Sequence, residues 1–267
     1  MSASKIQKRI AIENLNQKKK RGEKIVSLTA YDYITAQVLD EVGVDFILVG
    51  DSLGMVVLGY PDTLLVTVDD MIRHSQAVVR GTKQSMVVVD MPFLSYGVSD
   101  EKTIENAGRM IRETGAQAVK LEGGVIFASA IQKMVNLGIP VLGHIGMTPT
   151  HVLVESGYHM HGKTALDRQR LLEDAKALEK AGAWGIVLEC VDPALAREIS
   201  LEIHIPTIGI GSGQDCDGQI LVSHDLLGLY EDLTPKFVKK YGDLRLEMKR
   251  AFAQYKKEVK ERQFPAQ

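Results

Sequence analysis

Carboxylates stand at the ends of three short apolar runs in this sequence. The runs at 46–50 and 86–89 lead to Asp51 and Asp90, and the run at 118–119 leads into a segment that ends on Glu122. Such runs are typical of buried parallel strands, whose ends meet on one rim of a sheet or barrel. Three carboxylates on one rim repel each other, and hard oxygen ligands suit Mg²⁺, so these residues are predicted to hold magnesium. A helix cap is the alternative for each of them.

Lys120 lies two residues before Glu122 and therefore faces the same side of the strand. A buried lysine is costly unless it is paired or binds an anion. The carboxylate of an anionic substrate is its predicted partner. An internal Lys–Glu pair without a role in substrate binding is the alternative.

Two further runs end on groups that can exchange protons. Glu189 follows the run 185–188, and a carboxylate that leaves apolar surroundings suits a general base; a structural hydrogen-bond acceptor is the alternative. His144 follows the run 141–143, where histidine serves as a ligand, an acid or a core residue. Ser212 lies in the glycine-rich turn 209–213, which suits anion binding by the backbone, and is a further candidate.

Ser52 also belongs to a motif of another enzyme class. Residues 50–54 match the G-x-S-x-G pattern of serine hydrolases. That pattern needs a strand, a turn and a helix, whereas residues 55–61 are typical of a loop. The chain also lacks the D-x-x-H partner of a related esterase family, so hydrolysis is the weaker interpretation.

Strand and helix patterns alternate along the chain. Strands are predicted at 24–28, 46–50, 86–90, 118–122, 141–144, 185–189, from 206, and at 219–222. Helices are predicted at 33–42, from 67, near 100–113, at about 167–180 and at 193–199. This order predicts an α/β protein whose eight parallel strands close into a (β/α)8 TIM barrel. An open doubly wound sheet would usually contain a G-x-G-x-x-G turn, which this sequence lacks.

Helical segments are predicted at both ends of the barrel. The first covers about 1–21, and the second, about 242–262, has apolar residues at helical spacing and is expected to pack on the barrel or on a neighbouring subunit. The polar segment 148–163 is predicted to be a lid. Residues 1–267 together are predicted to form one domain.

Composition narrows the class of protein. The 267 residues carry a formal net charge of −2, which gives no electrostatic case for nucleic acid or membrane binding. The two cysteines, Cys190 and Cys216, lack the spacing of a disulfide framework or a metal knuckle. The N-terminus has no apolar signal core, and no apolar run approaches the length of a membrane span. These features predict a cytoplasmic enzyme in a reducing compartment.

Six motifs extend these observations over most of the chain. They are GDSLGM at 50–55, VDMPF at 89–93, VKLEGG at 119–124, GHIGMTP at 143–149, IGIGSG at 208–213 and CDGQ at 216–219. In this order they resemble the ketopantoate hydroxymethyltransferase family, and the resemblance runs from about 29–32 to 225–229.

The resemblance implies a role for each site residue. It implies that Asp51 and Asp90 hold Mg²⁺, with Glu122 at or near the metal. It also implies that Glu189 is the base. The implied ketoacid site is formed by Asp51, Ser52, Asp90 and Lys120. The implied substrates are 3-methyl-2-oxobutanoate and 5,10-methylenetetrahydrofolate, and the implied product is ketopantoate, for pantothenate and coenzyme A biosynthesis. The family also implies a homo-oligomer, a decamer.

Two other functions are compatible with the same residues. One is a related Mg²⁺ barrel enzyme that acts on oxaloacetate-like or phosphonopyruvate-like ketoacids, for which a catalytic cysteine in the lid is expected; Cys190 and Cys216 lie outside segment 148–163. The other is a binding or assembly protein that keeps the barrel without turnover.

Overall fold

The chain folds into a closed parallel barrel. A computed structural model describes residues 9–154, 159–232 and 235–265. In these residues each strand is hydrogen-bonded to the next in chain order, and the barrel closes. The strands, β1 to β8, are Ile25–Thr29, Phe46–Val49, Met86–Asp90, Ala118–Glu122, Val141–Gly146, Gly185–Glu189, Thr207–Ile210 and Gly218–Leu221. The prediction of a (β/α)8 TIM barrel is confirmed.

Helices separate most of the strands. The helices, α1 to α10, are Ile12–Arg21, Tyr33–Val42, Leu53–Val56, Val68–Gly81, Asp100–Thr114, Ala128–Asn136, Ala165–Lys180, Pro193–Glu202, Ser223–Leu226 and Leu244–Lys260. Short 3-10 helices at Val125–Phe127 and Pro149–His151 follow β4 and β5. Some sequence expectations change: α6 and α9 are not predicted, α3 extends into the expected loop 55–61, and β5 continues two residues beyond His144.

The alternation of side chains along the strands separates an inner core from an outer one. Met86 and Val88 of β3 belong to the inner cluster, whereas Val87 and Val89 pack in the outer cluster with the helices. The same period of two carries the inner face of β3 upward to Asp90, the last residue of the strand. The fold therefore aims polar residues at the C-terminal ends of the strands into the mouth of the barrel, where barrel active sites lie.

Helix α1 lies at the opposite end of the barrel. Leu15 is buried in the inner cluster. Lys18 forms an ion pair with Asp45, just before β2, at 2.6 Å, and Lys19 pairs with Asp217, just before β8, at 2.8 Å. The predicted N-terminal helical segment is confirmed from Ile12 to Arg21, and residues 1–8 lie outside the described residues.

The chain divides into two compact units, 1–220 and 221–267. In the second unit, Asp243 caps α10 by accepting the N–H of Leu246 at 3.1 Å. The predicted C-terminal helix is confirmed, and its apolar side chains, among them Met248 and Phe252, are exposed. The packing of this face on the barrel or on a neighbouring subunit remains a prediction. The organisation of the whole chain as one domain also remains a prediction. None of the described helices is both long and apolar enough to cross a membrane.

Candidate active site

Asp90 and Lys120 form a buried ion pair at the mouth of the barrel. They are register partners on β3 and β4. The ammonium Nζ of Lys120 donates to both carboxylate oxygens of Asp90 at 2.7 Å. Burial lowers the pKa of Lys120, but Asp90, Glu122 and Asp51 outweigh it and raise that pKa above the usual range. Lys120 is therefore a fixed cation in a carboxylate-rich site.

Asp51 is the carboxylate that the site neutralises least. It follows β2, is only 4% exposed, and its backbone N–H donates to Asp90 Oδ2 at 3.3 Å. Burial, together with the charges of Asp90 and Glu122, raises the pKa of Asp51 well above its usual range. An additional cation here would keep Asp51 ionised.

Glu122 is held by one oxygen and open at the other. Its Oε2 accepts the backbone N–H of Thr150 at 3.1 Å and a short hydrogen bond from the Thr150 hydroxyl. Its Oε1 is buried and lies 3.4 Å from His144 Nδ1 and 4.0 Å from Lys120 Nζ, too far for a well-formed hydrogen bond. Burial raises the pKa of Glu122, but His144, Lys120 and Thr150 lower it to about 2. Glu122 therefore stays ionised and keeps one oxygen for another ligand.

His144 lies between two glutamates. Its Nδ1 is 3.4 Å from Glu122 Oε1, and its Nε2 is 3.3 Å from Glu189 Oε2, distances of an ion pair rather than of a well-formed hydrogen bond. Burial and Lys120 lower the pKa of His144, but the two glutamates outweigh them and raise it to about 9. The imidazole is therefore protonated at neutral pH. The side chain of Glu189 is 12% exposed, more than that of His144 at 2%.

Two small residues set the position of Glu189. Gly146 is its register partner on β5, and a Cβ at Gly146 would lie only 2.2 Å from the carbonyl oxygen of Glu189. Ser212 is buried, and its hydroxyl donates to Leu188 O at 2.7 Å and accepts the N–H of Val191 at 3.0 Å. The predicted candidate Ser212 thus ties the turn after β7 to the end of β6, on either side of Glu189.

Ser52 lies in the first turn of the loop after β2. Its hydroxyl is 2.8 Å from the hydroxyl of Tyr31. The backbone carbonyl oxygen of Tyr31 is hydrogen-bonded to Nδ1 of His74 at 2.6 Å. In the hydrogen bonds of the described residues, Ser52 is therefore joined to a phenol rather than to the imidazole that a serine hydrolase needs. This geometry disfavours hydrolysis and leaves Ser52 next to Asp51.

The donor set fits a divalent cation, although the side chains are not yet arranged around one. Within the described residues, no group of three His, Cys, Asp or Glu side chains surrounds a common metal position, and Asp90 is engaged by Lys120. With Asp51 ionised, the three buried carboxylates of Asp51, Asp90 and Glu122 outnumber the two cations, Lys120 and His144, so the site can take a further positive charge. The open Oε1 of Glu122 is a suitable hard ligand.

The structure therefore brings together the sequence-predicted residues. Ion-pair contacts or electrostatic interactions link six of them: Asp51, Asp90, Lys120, Glu122, His144 and Glu189. Sequence reasoning missed Thr150 and Tyr96, which contact Glu122 from loops, and Tyr31, which contacts Ser52. Their sequence signals were weak: Thr150 directly follows the GHIGMTP motif, and Tyr31 lies shortly after the end of β1.

Comparisons with known proteins match almost the whole chain. The profile of a family described as ketopantoate hydroxymethyltransferase matches residues 9–267. A 3-methyl-2-oxobutanoate hydroxymethyltransferase from Carboxydothermus hydrogenoformans is 56% identical over 257 residues, which cover 96% of this chain and 93% of that protein. A protein of the same name from Enterococcus faecalis is 55% identical over 249 residues, covering 93% of this chain and 90% of its own length.

Two solved structures with the same fold are far more distant in sequence than these two relatives. A phosphonopyruvate hydrolase complex with oxalate and Mg²⁺ has a TM-score of 0.65 and 12% identity, covering 96% of this chain and 90% of that chain. Phosphoenolpyruvate phosphomutase from Streptomyces platensis subsp. rosaceus has a TM-score of 0.63 and 13% identity, covering 94% and 88%. At these identities the likeness extends to the fold alone.

Proposed function

The chain belongs to the ketopantoate hydroxymethyltransferase family, and from that premise we propose how its residues add a hydroxymethyl group to 3-methyl-2-oxobutanoate. The product of this transfer is ketopantoate, in pantothenate biosynthesis. The proposed donor is 5,10-methylenetetrahydrofolate, and the proposed metal is Mg²⁺. The proposal of a bound metal rests on one observation. Three buried carboxylates, those of Asp51, Asp90 and Glu122, share the single ammonium of Lys120.

The substrate site combines fixed charges of both signs. Asp51, Asp90 and Glu122 would hold the cation, and bound Mg²⁺ would polarise the carbonyl of the ketoacid. Lys120 would face the carboxylate of the ketoacid. It would also stabilise the negative charge that develops on the carbonyl oxygen when the C3 proton is removed. Because Asp90 fixes the ammonium with two hydrogen bonds, Lys120 needs little rearrangement to do this. Ser52, beside Asp51, would donate a hydrogen bond to the ketoacid while the hydroxyl of Tyr31 holds it in place.

Glu189 is the proposed base. It would accept the proton from C3, next to the carbonyl, and the electron pair of that C–H bond would form the bond to the one-carbon unit of the donor as one of that carbon's two C–N bonds breaks. Water would supply the hydroxyl as the second C–N bond breaks, and the two nitrogen atoms of the released tetrahydrofolate would take up the C3 proton and one proton of the water. His144 is already protonated at neutral pH, since its pKa is about 9, and therefore cannot be the acceptor in that state. It would instead hold Glu189 Oε2 at 3.3 Å and keep that carboxylate oriented.

Space for a large co-substrate lies next to this cluster. A cavity of about 500 Å³ is lined by residues after β4 and β5 and by α7, among them Gly123, Thr148 and Asp174. Gly123 directly follows Glu122 in the chain. Ligand sites in barrels are built from these strand–helix loops, so the cavity supports a donor that approaches from this side. The homo-oligomer, expected to be a decamer, remains part of the proposal.

Removal of divalent metal is expected to abolish turnover. Chelated enzyme should form no ketopantoate, since its carboxylates would then lack the cation that polarises the substrate. Activity should return with Mg²⁺, and also with Mn²⁺ or Co²⁺, because oxygen-ligand sites select weakly among these ions. The measurement is ketopantoate formation before and after metal addition, with circular dichroism as the control for folding. Full activity after thorough chelation would refute the metal role.

A further inference from the structure

Thr150 is buried just before a largely exposed stretch of the connection after β5. It lies in the 3-10 turn Pro149–His151 that follows β5 and is only 5% exposed. Leu153 and Val154, three and four residues later, are 79% and 84% exposed. A polar side chain that is buried in such a segment is normally held there by specific hydrogen bonds.

The two shortest of those hydrogen bonds converge on Glu122, while His151 Nδ1 lies 3.4 Å from the Thr150 hydroxyl. The backbone N–H of Thr150 and its hydroxyl both donate to Oε2 of Glu122. Tyr96 completes the cluster, since its hydroxyl accepts the backbone N–H of Glu122 at 3.3 Å. Tyr96 is itself fixed by an edge-to-face contact with Phe127, with ring centroids 5.3 Å apart. Glu122 is therefore clamped from two loops.

The clamp distinguishes the two oxygens of one carboxylate. With both donors on Oε2, the other oxygen, Oε1, is left without a hydrogen-bond partner and faces Lys120 and His144. A free glutamate side chain would rotate and exchange these oxygens, whereas Thr150 prevents that rotation. Partners of this kind orient metal ligands in many proteins.

We infer that Thr150 is a positioning residue, which directs Oε1 of Glu122 to the cation site by holding Oε2. The inference rests on the proposed metal role of Glu122. Thr150 is expected to contact neither the cation nor the ketoacid, and it acts only through the carboxylate.

The test measures metal affinity without turnover. Mn²⁺ is titrated into metal-free enzyme, and free Mn²⁺ is followed by electron paramagnetic resonance. Thr150→Val keeps the shape and the backbone N–H but loses the hydroxyl, and it should weaken Mn²⁺ binding about 10- to 100-fold, the usual range for such partners. Thr150→Ser restores the hydroxyl and should bind within about threefold of the wild type.

Thr148→Val is the matched control. It removes a hydroxyl from the same connection, but that hydroxyl faces His151 Nδ1 at 3.1 Å rather than Glu122. Its Mn²⁺ affinity should equal that of the wild type. A purely structural role of threonines in this turn would instead weaken both valine variants alike, and that result would overturn the inference.

The outcomes separate this inference from the proposed function. If the wild type binds Mn²⁺ and Thr150→Val binds it equally well, the inference is wrong and the metal site stands. If the wild type binds no Mn²⁺, the metal role of Glu122 is wrong, and the inference falls with it. Should Thr150→Val fail to fold, Thr150→Ala takes its place: it also lacks the hydroxyl that holds Oε2, so Mn²⁺ binding should weaken about 10-fold or more, and unchanged affinity would overturn the inference.

Discussion

Asp90→Asn is expected to lower turnover by about 10²-fold or more while the protein stays folded. Asp90 combines two functions that need its negative charge: it fixes the ammonium of Lys120 with two bonds of 2.7 Å, and it is a proposed metal ligand. The amide keeps one acceptor oxygen for Lys120 but loses the charge. Because half of a buried ion pair is weakened, we also expect a loss of stability of about 3 kcal/mol. Steady-state kinetics and thermal denaturation measure the two effects.

Asp40→Asn is the matched control for this loss. Asp40 is also buried, 5% exposed, and accepts the backbone N–H groups of Lys83, Gln84 and Ser85, just before β3. Its substitution should reduce stability without reducing turnover below the melting temperature. Wild-type activity and wild-type Mg²⁺ dependence in Asp90→Asn would show that the metal assignment is incorrect.

Glu189→Gln is expected to block proton removal and to leave ligand binding intact. The amide keeps the shape of the side chain but cannot accept the C3 proton, so this step should slow by roughly 10²-fold or more. The informative assay omits the folate donor. Wild-type enzyme in D₂O with Mg²⁺ and 3-methyl-2-oxobutanoate should exchange the C3 proton for deuterium, which NMR follows directly.

A second carboxylate serves as the control for Glu189. Glu198 is a half-buried residue of α8 that pairs with Arg168, and Glu198→Gln should exchange the C3 proton at the wild-type rate. If Glu189→Gln also exchanges at that rate, another group removes the proton. Because loss of the Glu189 charge would lower the pKa of His144, the neutral imidazole, 3.3 Å from Glu189 in the wild type, would then be the first candidate.

The strand ends are predictable from sequence because two simple rules act together. Apolar runs fix where buried parallel strands lie, and the alternation of side chains fixes which residues face inward. These two rules alone place Asp90, Lys120 and Glu122 on one face, and the register of β3 with β4 makes Asp90 and Lys120 neighbours. The strands β3, β4 and β6 have the predicted bounds.

Other features depend on contacts that a local pattern does not contain. Helix α6 was missed because no side chain caps its N-terminus; the chain enters it from the 3-10 helix Val125–Phe127 instead. The clamp on Glu122 joins residues 28 positions apart along the chain. The charge of His144 depends on two glutamates from different strands. The predicted lid 148–163 contains the 3-10 turn at Pro149–His151, and residues 155–158 lie outside the described residues.

Direct conversion of the proposed substrates is the most direct test of the proposed function. Purified protein would be mixed with Mg²⁺, 3-methyl-2-oxobutanoate and 5,10-methylenetetrahydrofolate, and the products identified by mass spectrometry and NMR. We expect ketopantoate and tetrahydrofolate in equal amounts, with ketopantoate formation abolished when any one of the three is left out. Failure to form ketopantoate from the complete mixture by folded, Mg²⁺-loaded protein, or equal formation without the folate donor, would contradict the proposed function.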